Sequence, residues 1–313
     1  MEGAEHRRIR KIVAPAFTPR RIQRWNDVLE VIVTDLLDTM VAQGSPADVV
    51  SALCLPYPTR VMCRVLDIPE GDSHRFAEWS NAFVSSIALT GEQRTELILE
   101  FAEYIAHLLT RKRAQPGGGL IDDLIGACDG GDYLDDSELI GLIISLIAAG
   151  TDTTASVLAR FLLTLLSDDR RAWTQLVARP ELVPNAVNEL LRLLVMGPSA
   201  ALRLATEDVE LPSGRISAGE AVAIATSSAM RDESIYRDPH RVDFERSAPP
   251  PTLVFGKGAH ACLGMNLARS ELTIALRELT HRFPDLALAT PVSDLQFTDG
   301  EVLHSLTALP LTW

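Results

Sequence analysis

The sequence predicts a mainly α-helical protein with a small β portion, in a single domain that is helix-rich over 1–196 and mixed over 197–313. Three observations predict it. Through the first two thirds, apolar residues recur at three- and four-residue spacing, the signature of helices with one buried face. Past Gly197-Pro198 the pattern shortens into β-compatible pieces separated by Pro and Gly turns. No internal repeat or low-complexity tract interrupts either part.

In chain order, helical spacing covers Asn26 to Val41, Ala47 to Leu66, Asp72 to Ala88 and Glu92 to Arg113. Pro116-Gly117-Gly118-Gly119 then predicts a flexible turn. Asp136-Ser137-Glu138 opens an apolar stretch reaching Leu166, about 30 residues, longer than ordinary surface helices and therefore expected to cross the interior. A further helix is expected from Glu181 to Leu194. Ala200 to Thr206 and Ala221 to Ile224 read as strands, with turns at Pro212-Ser213-Gly214 and Ala218-Gly219-Glu220. An irregular Pro-rich stretch, Asp238 to Pro251, leads into a glycine-rich loop, Phe255 to Gly264. A last helix from Met265 to Arg282 and a small terminal sheet complete the reading.

Composition narrows the function. The 313 residues are 47% hydrophobic and 23% charged, as in ordinary soluble globular proteins. A formal net charge of -13 opposes nucleic-acid binding, which needs a basic footprint. One local basic patch exists, Arg7, Arg8, Arg10 and Lys11 continuing to Arg20, Arg21 and Arg24. It reads either as a solvated helix face or as a docking surface for an acidic partner. The most apolar run, Leu139 to Gly150, is too short to span a bilayer, and Met1-Glu2-Gly3-Ala4-Glu5-His6 does not resemble a signal peptide. No membrane association and a cytoplasmic location are expected.

Cysteines at 54, 63, 128 and 262 form no CxxC pair, which argues against a disulfide scaffold or a zinc knuckle. The first three lie in apolar helical surroundings and read as core residues. Cys262 differs: glycines at 256, 258 and 264 let the backbone approach a flat partner closely, and the following helix offers free amides and a positive end that favour a thiolate. A buried structural cysteine, a nucleophile and a metal ligand are three possible readings. No base is evident for a nucleophile. One thiolate suffices when a porphyrin supplies the other ligands of an iron.

Inside the long apolar helix stands Ala149-Gly150-Thr151-Asp152-Thr153-Thr154. Glycine and threonine weaken a helix interior, and threonine hydroxyls take carbonyls of the preceding turn, so the segment reads as a local groove or as polar decoration of one face. Glu189 and Arg192, three apart in an apolar stretch, share one helix face. A surface ion pair is the ordinary reading of such spacing.

The run Phe255-Gly256-x-Gly258-x-His260-x-Cys262-x-Gly264, continuing Leu267-Ala268-Arg269, resembles the heme-binding signature of the cytochrome P450 superfamily, especially its soluble bacterial members. The resemblance implies the P450 fold, a heme b cofactor (iron protoporphyrin IX) and Cys262 as its axial ligand, with Phe255, Gly256, His260 and Gly264 shaping the loop. It places Ala149 and Gly150 on the distal face of the heme, where the motif kinks the helix. Asp152 then resembles the acid of the proton route and Thr153 the alcohol that delivers protons to dioxygen. Glu189 and Arg192 become an internal brace joined by Arg246, from Asp243-Phe244-Glu245-Arg246. His6 and Arg10, four apart on a helix, resemble the pair that binds a heme propionate, and Arg203 the arginine on a strand that binds another. Thr252 stands where many bacterial members carry histidine, which weakens one propionate contact that His260 partly restores.

The expected activity is insertion of one oxygen atom from O2 into a small organic molecule, in bacterial secondary metabolism, with electrons from NAD(P)H through ferredoxin reductase and ferredoxin. The alternatives are a non-enzymatic member acting as scaffold or activator of a biosynthetic enzyme, and a peroxide-using or coupling heme enzyme. The chain also lacks the N-terminal segment usual in the family, so Met1 is expected either to be an internal methionine taken as a start or to begin a short product with an open heme cavity.

Overall fold

The computed structural model describes residues 2–84, 89–129, 134–194, 200–246, 252–298 and 303–313. Twelve helices are described: α1 (Gly3–Val13), α2 (Pro19–Ile22), α3 (Asn26–Gln43), α4 (Pro56–Leu66), α5 (Ser73–Val84), α6 (Gly91–Ala114), α7 (Leu120–Asp129), α8 (Asp136–Leu166), α9 (Arg171–Ala178), α10 (Val183–Leu193), α11 (Thr226–Ala229) and α12 (Met265–Arg282). Seven short strands accompany them: β1 (Ala47–Asp48), β2 (Ala200–Leu204), β3 (Val209–Leu211), β4 (Gly214–Ile216), β5 (Ala221–Ala225), β6 (Ala287–Leu288) and β7 (Pro310–Thr312). The predicted mainly helical architecture is the one observed.

Helix α8 is the spine. Its first turn is closed by a capping box in which Glu138 N–H donates to Asp135 Oδ1 at 2.8 Å and Asp135 N–H to Glu138 Oε2 at 3.1 Å, satisfying amides the helix cannot satisfy itself. From there it runs 31 residues, with α4, α5, α6, α9 and α12 packed around it. Its residues are apolar on most faces because most faces are covered. By length and composition this helix could cross a membrane, but 61% of its most apolar window is buried within the protein, as befits a core helix. The kink expected at the Ala149–Thr154 motif does not break it: the helix is continuous from Asp136 to Leu166. Thr153 Oγ1 donates to Ala149 O at 2.6 Å and Thr151 Oγ1 to Ile147 O at 3.1 Å, beside an intact helix.

Helix α3 buries Leu29, Ile32, Val33, Leu36, Leu37 and Met40, one stripe at three- and four-residue spacing, against α4 and α12. Helix α12, bounded as predicted, brings the residues after Cys262 into the same core through Leu267, Leu272, Ala275, Leu276 and Leu279. Burying each leucine there contributes roughly 1.5–3 kcal/mol.

Several predicted elements change. The helix expected over Ala47 to Leu66 divides into β1, a wide helical turn at Val50–Cys54, and α4. Asp48 explains the division: its carboxylate accepts from Val50 N, Ser51 N and Leu309 N, fastening a strand start to β7. The Gly117-Gly118-Gly119 turn is tied rather than loose, since all three N–H groups donate to Asp122 Oδ2 at 3.2, 2.9 and 3.0 Å. Helices α1 and α9 were not separately delimited from periodicity. The end of the helix expected to reach Ala88, the Gly197-Pro198 break and Pro251 lie outside the described residues, as does the side chain of Cys128. Cys54 and Cys63 are core residues as expected.

The sheets are small and antiparallel: β1-β7-β6, the pair β2-β5, and the hairpin β3-β4 closed through Pro212-Ser213. They sit beside the helical core and carry its connections.

Candidate functional site

A cavity of about 500 Å³ opens between α8 and the loop that precedes α12. Ala149, Gly150 and Thr153 form one wall, and Phe255, Gly256 and Cys262 the other. Gly264 and His260 also line it, and most of its remaining surface is apolar. Two motifs more than a hundred residues apart in sequence thus face one space.

The loop is shaped by its backbone. Gly256 and Gly258 adopt φ of +67° and +84°, a left-handed region that side chains disfavour. Cys262 N–H donates to Phe255 O at 2.7 Å, Ala261 N–H to Gly258 O at 3.1 Å, and Gly256 N–H to Leu253 O at 2.9 Å, which close the loop on itself. Asn266 Nδ2 anchors the start of α12 to Phe17 O at 3.0 Å. The Arg269 guanidinium lies 5.0 Å over the Phe255 ring, a stacking that holds the other end of the loop.

Cys262 is reached by solvent from the cavity side. Protein packed behind it raises the thiol pKa above its ordinary value, while the Gly264 N–H, the Arg10 charge and the Met265 N–H pull it down. The thiolate-favouring amides expected from sequence are therefore present, but they do not outweigh burial. A cation at the sulfur is what would complete the stabilisation of a thiolate.

Arg10 reaches the loop directly, Nη2 donating to Ala261 O at 2.6 Å. His6 stacks on His260 with ring centroids 3.9 Å apart, and His260 Nε2 lies 2.9 Å from Glu2 Oε2. The contact with His260 lowers the Glu2 carboxyl pKa. His6, Arg10 and His260 therefore gather as expected. Arg203 does not join them: it is exposed on β2 and donates to Leu202 O at 3.0 Å. Thr252 turns inward, its hydroxyl 3.6 Å from Met230 Sδ and accepting from Val254 N at 3.2 Å.

Glu189 and Arg192 are internal. Arg192 Nε and Nη2 donate to the two Glu189 carboxylate oxygens at 2.9 and 2.8 Å, and Nη1 donates to Met230 O and Pro239 O at 2.7 and 2.8 Å. Arg246 completes the set, its Nε 3.3 Å from both Glu189 oxygens. The irregular meander is thereby pinned to α10 at Met230, Pro239 and Arg246. Geometry of this kind repays the desolvation of buried charges, which isolated ions cannot.

Of the α8 pair, Thr153 lines the cavity and Asp152 does not. Among the lining residues that were not singled out from the sequence, two stand out. Met62 of α4 packs its sulfur against Gly150, where a Cβ would meet Sδ at 2.8 Å. Glu271 of α12 lines the cavity as a buried carboxylic acid; beside Arg269 and Ser270 it carries no sequence signal that separates it from a surface acid.

Fold and site together define a heme-thiolate oxygenase architecture. A family model described as Cytochrome P450 matches residues 167–288. The chain is 41% identical over its whole length to the nocardicin C N-oxygenase of Nocardia uniformis subsp. tsuyamanensis, covering 78% of that protein. It is 39% identical to the mycinamicin IV hydroxylase/epoxidase of Micromonospora griseorubida, again over the whole chain and 79% of the relative. The crystal structure of the LnmA cytochrome P450 hydroxylase from the leinamycin pathway of Streptomyces atroolivaceus superposes with a TM-score of 0.94 at 38% identity, over 100% of this chain and 80% of that one. The chain belongs to the cytochrome P450 family and is an oxidoreductase of the monooxygenase type, with heme as the family's cofactor.

The residues present suit that cofactor. A single thiol with two amides aimed at it faces a mostly apolar cavity, and cationic groups stand beside the loop. Among the described residues no cluster of His, Cys, Asp and Glu side chains could hold a metal alone, so an iron here needs a ligand that brings its own nitrogens.

Proposed function

We propose that the chain is a heme-thiolate monooxygenase that inserts one atom of O2 into a small organic molecule of bacterial secondary metabolism, in the cytoplasm, with electrons from NAD(P)H delivered through ferredoxin reductase and ferredoxin. The observation that carries the reading is the shared cavity, with Cys262 on one wall and Ala149, Gly150 and Thr153 on the other. Its relatives' named substrates, nocardicin C and mycinamicin IV, support a natural-product substrate class.

The bound heme supplies dioxygen activation, helped by electron donation from a thiolate ligand. Cys262 is the residue placed to be that ligand, and the Gly264 and Met265 N–H groups orient its sulfur. Ala149 and Gly150 keep side-chain bulk away from the opposite face. Arg10, His6 and His260 supply donors for the heme carboxylates, with Arg203 available from β2. Thr153, whose hydroxyl donates to Ala149 O, holds a proton at the cavity wall and moves it inward when that bond is exchanged for one to the cavity. Asp152, the preceding residue of α8, is assigned as its proton source. The Glu189, Arg192 and Arg246 brace fixes the meander before the cysteine loop.

The basic patch is more committed than its sequence suggests: Arg8 pairs with Glu138, and Arg21 with Asp123. Arg7, Arg20 and Arg24 are the part of it assigned to meet an acidic ferredoxin.

The test is spectroscopic. Reduced, heme-loaded protein under carbon monoxide is expected to absorb at the long-wavelength position of thiolate-ligated heme, and Cys262→Ala to lose that band completely. An imidazole-type spectrum from the folded wild-type protein would falsify the ligand assignment.

A further inference from the structure

Met230 directly follows α11, is 6% exposed, and receives hydrogen bonds on both its backbone and its side chain. Its carbonyl oxygen accepts from Arg192 Nη1 at 2.7 Å, which ties it to the Glu189 brace. Its sulfur faces the Leu253 N–H at 3.3 Å, the Thr252 hydroxyl at 3.6 Å and the Tyr236 hydroxyl at 3.8 Å. A methionine that only filled a gap in the core would be met by apolar groups. A thioether is a weak acceptor, so no single one of these contacts holds the segment; their convergence does. Tyr236 is 2% exposed, and the sulfur is the acceptor that its hydroxyl meets. Buried donors of this kind need a partner, and leucine in place of the methionine would offer none.

The contacts continue without a gap to the cysteine. Leu253 O accepts from Gly256 N–H at 2.9 Å, and Phe255 O from Cys262 N–H at 2.7 Å. Thr252 Oγ1, besides donating to the sulfur, accepts from Val254 N–H at 3.2 Å. The residue that stands where many bacterial P450s carry a histidine is therefore committed to a sulfur and to its own loop.

We propose that Met230 is a positioning residue for the axial ligand: its thioether carries the rigidity of the Glu189, Arg192 and Arg246 brace to the start of the cysteine loop and so fixes where the Cys262 sulfur stands. The inference rests on the heme-thiolate reading of the cavity. Without the thioether, the Leu253 N–H and the two hydroxyls turn to water or to one another, and the approach to Phe255 loses its fixed place. The consequence at the ligand is easier loss of thiolate bonding: the iron–sulfur bond breaks, its electron pair stays on sulfur, and a proton from solvent joins it.

The test compares Met230→Leu, a volume-conserving swap that cores tolerate but that removes the acceptor, with Met230→Gln, which restores an acceptor oxygen at similar reach. In mild urea under carbon monoxide, reduced heme-loaded Met230→Leu is expected to lose its thiolate band about tenfold faster than wild type, with Met230→Gln in between. Thr252→Val, which removes one of the donors, should change the rate in the same direction by less. Hydrogen exchange read by mass spectrometry should quicken across residues 253–262 in Met230→Leu and stay unchanged in α8. The proposal is overturned if the band keeps its wild-type lifetime in Met230→Leu, or if exchange quickens throughout the protein, as for an ordinary core residue. Either result in protein whose wild-type form shows an intact thiolate band counts against Met230 alone. An imidazole-type spectrum from folded wild-type protein overturns the ligand reading and this proposal with it.

Discussion

Glu189 and Glu271 are equally hidden, at 3% and 1% exposure, yet they live in opposite surroundings. Glu189 is held by Arg192 and Arg246 and accepts from the Asp243 backbone N–H at 3.2 Å. Glu271 has apolar walls and an Oε2 that no group meets. The first carboxylate is held by its partners on several sides, and its work is to fix the meander. The second has its pKa raised well above the usual carboxylate range by burial, which favours the neutral acid. Burial alone does not decide the state of a carboxyl group; the partners do.

The sharpest way to break the comparison is to remove a partner from the first site. Arg192→Leu leaves Glu189 buried with only Arg246 and the Asp243 N–H as partners, and we expect a loss of about 3–5 kcal/mol in urea unfolding of the heme-loaded protein. A change below about 1 kcal/mol would mean that the brace is not the fixed element described.

Within the cavity, Thr153→Ala should leave heme content unchanged while product formed per NAD(P)H falls about tenfold or more, the remainder appearing as peroxide. An unchanged ratio would remove the Thr153 hydroxyl from the proton route. The effect on stability should be small, since the bond lost, to Ala149 O, is a single neutral one.

The subtlest test is the pH dependence of stability. The Glu271 pKa in the folded protein lies above the ordinary value of 4.5. The folded state therefore holds this proton where the unfolded state releases it, and stability from this group falls as pH rises above 4.5 towards the folded value. The slope is at most about 1.4 kcal/mol per pH unit. Glu271→Gln should remove that slope, and identical pH profiles for the two proteins would show that the carboxyl ionises freely.

What the sequence made legible were the features with a local signature. The bounds of α8 follow from an apolar run behind Asp135 and Glu138, and the cysteine loop is written in contiguous glycines. Arg246 as third member of the brace came from resemblance and lies where that required, 57 positions from Glu189. What stayed hidden depends on contacts between distant segments. Asp48 ends a helical pattern because Leu309 needs its carboxylate, which no spacing near residue 48 reveals. Glu271 looks like any surface acid of an amphipathic helix until α8 and α10 close around it. The Asp152 and Thr153 pair is adjacent in sequence, but a helix turns successive side chains by about 100°, so only one of them lines the cavity.

The close approach of Met62 to Gly150 sets a lifetime on the enzyme. A thioether is among the most easily oxidised groups in a protein, and this one is built into the wall of a cavity devoted to activating oxygen. Its sulfur rests where the helix has no side chain, close enough that a Cβ at Gly150 would meet it at 2.8 Å. Oxygen that escapes the substrate and reaches Met62 would turn a soft apolar filler into a bulky polar sulfoxide facing the helix backbone. Activity is therefore expected to decay with the number of uncoupled cycles rather than with elapsed time. Peptide mass spectrometry should find the sulfoxide at Met62 in proportion, and Met62→Leu should lengthen the working life.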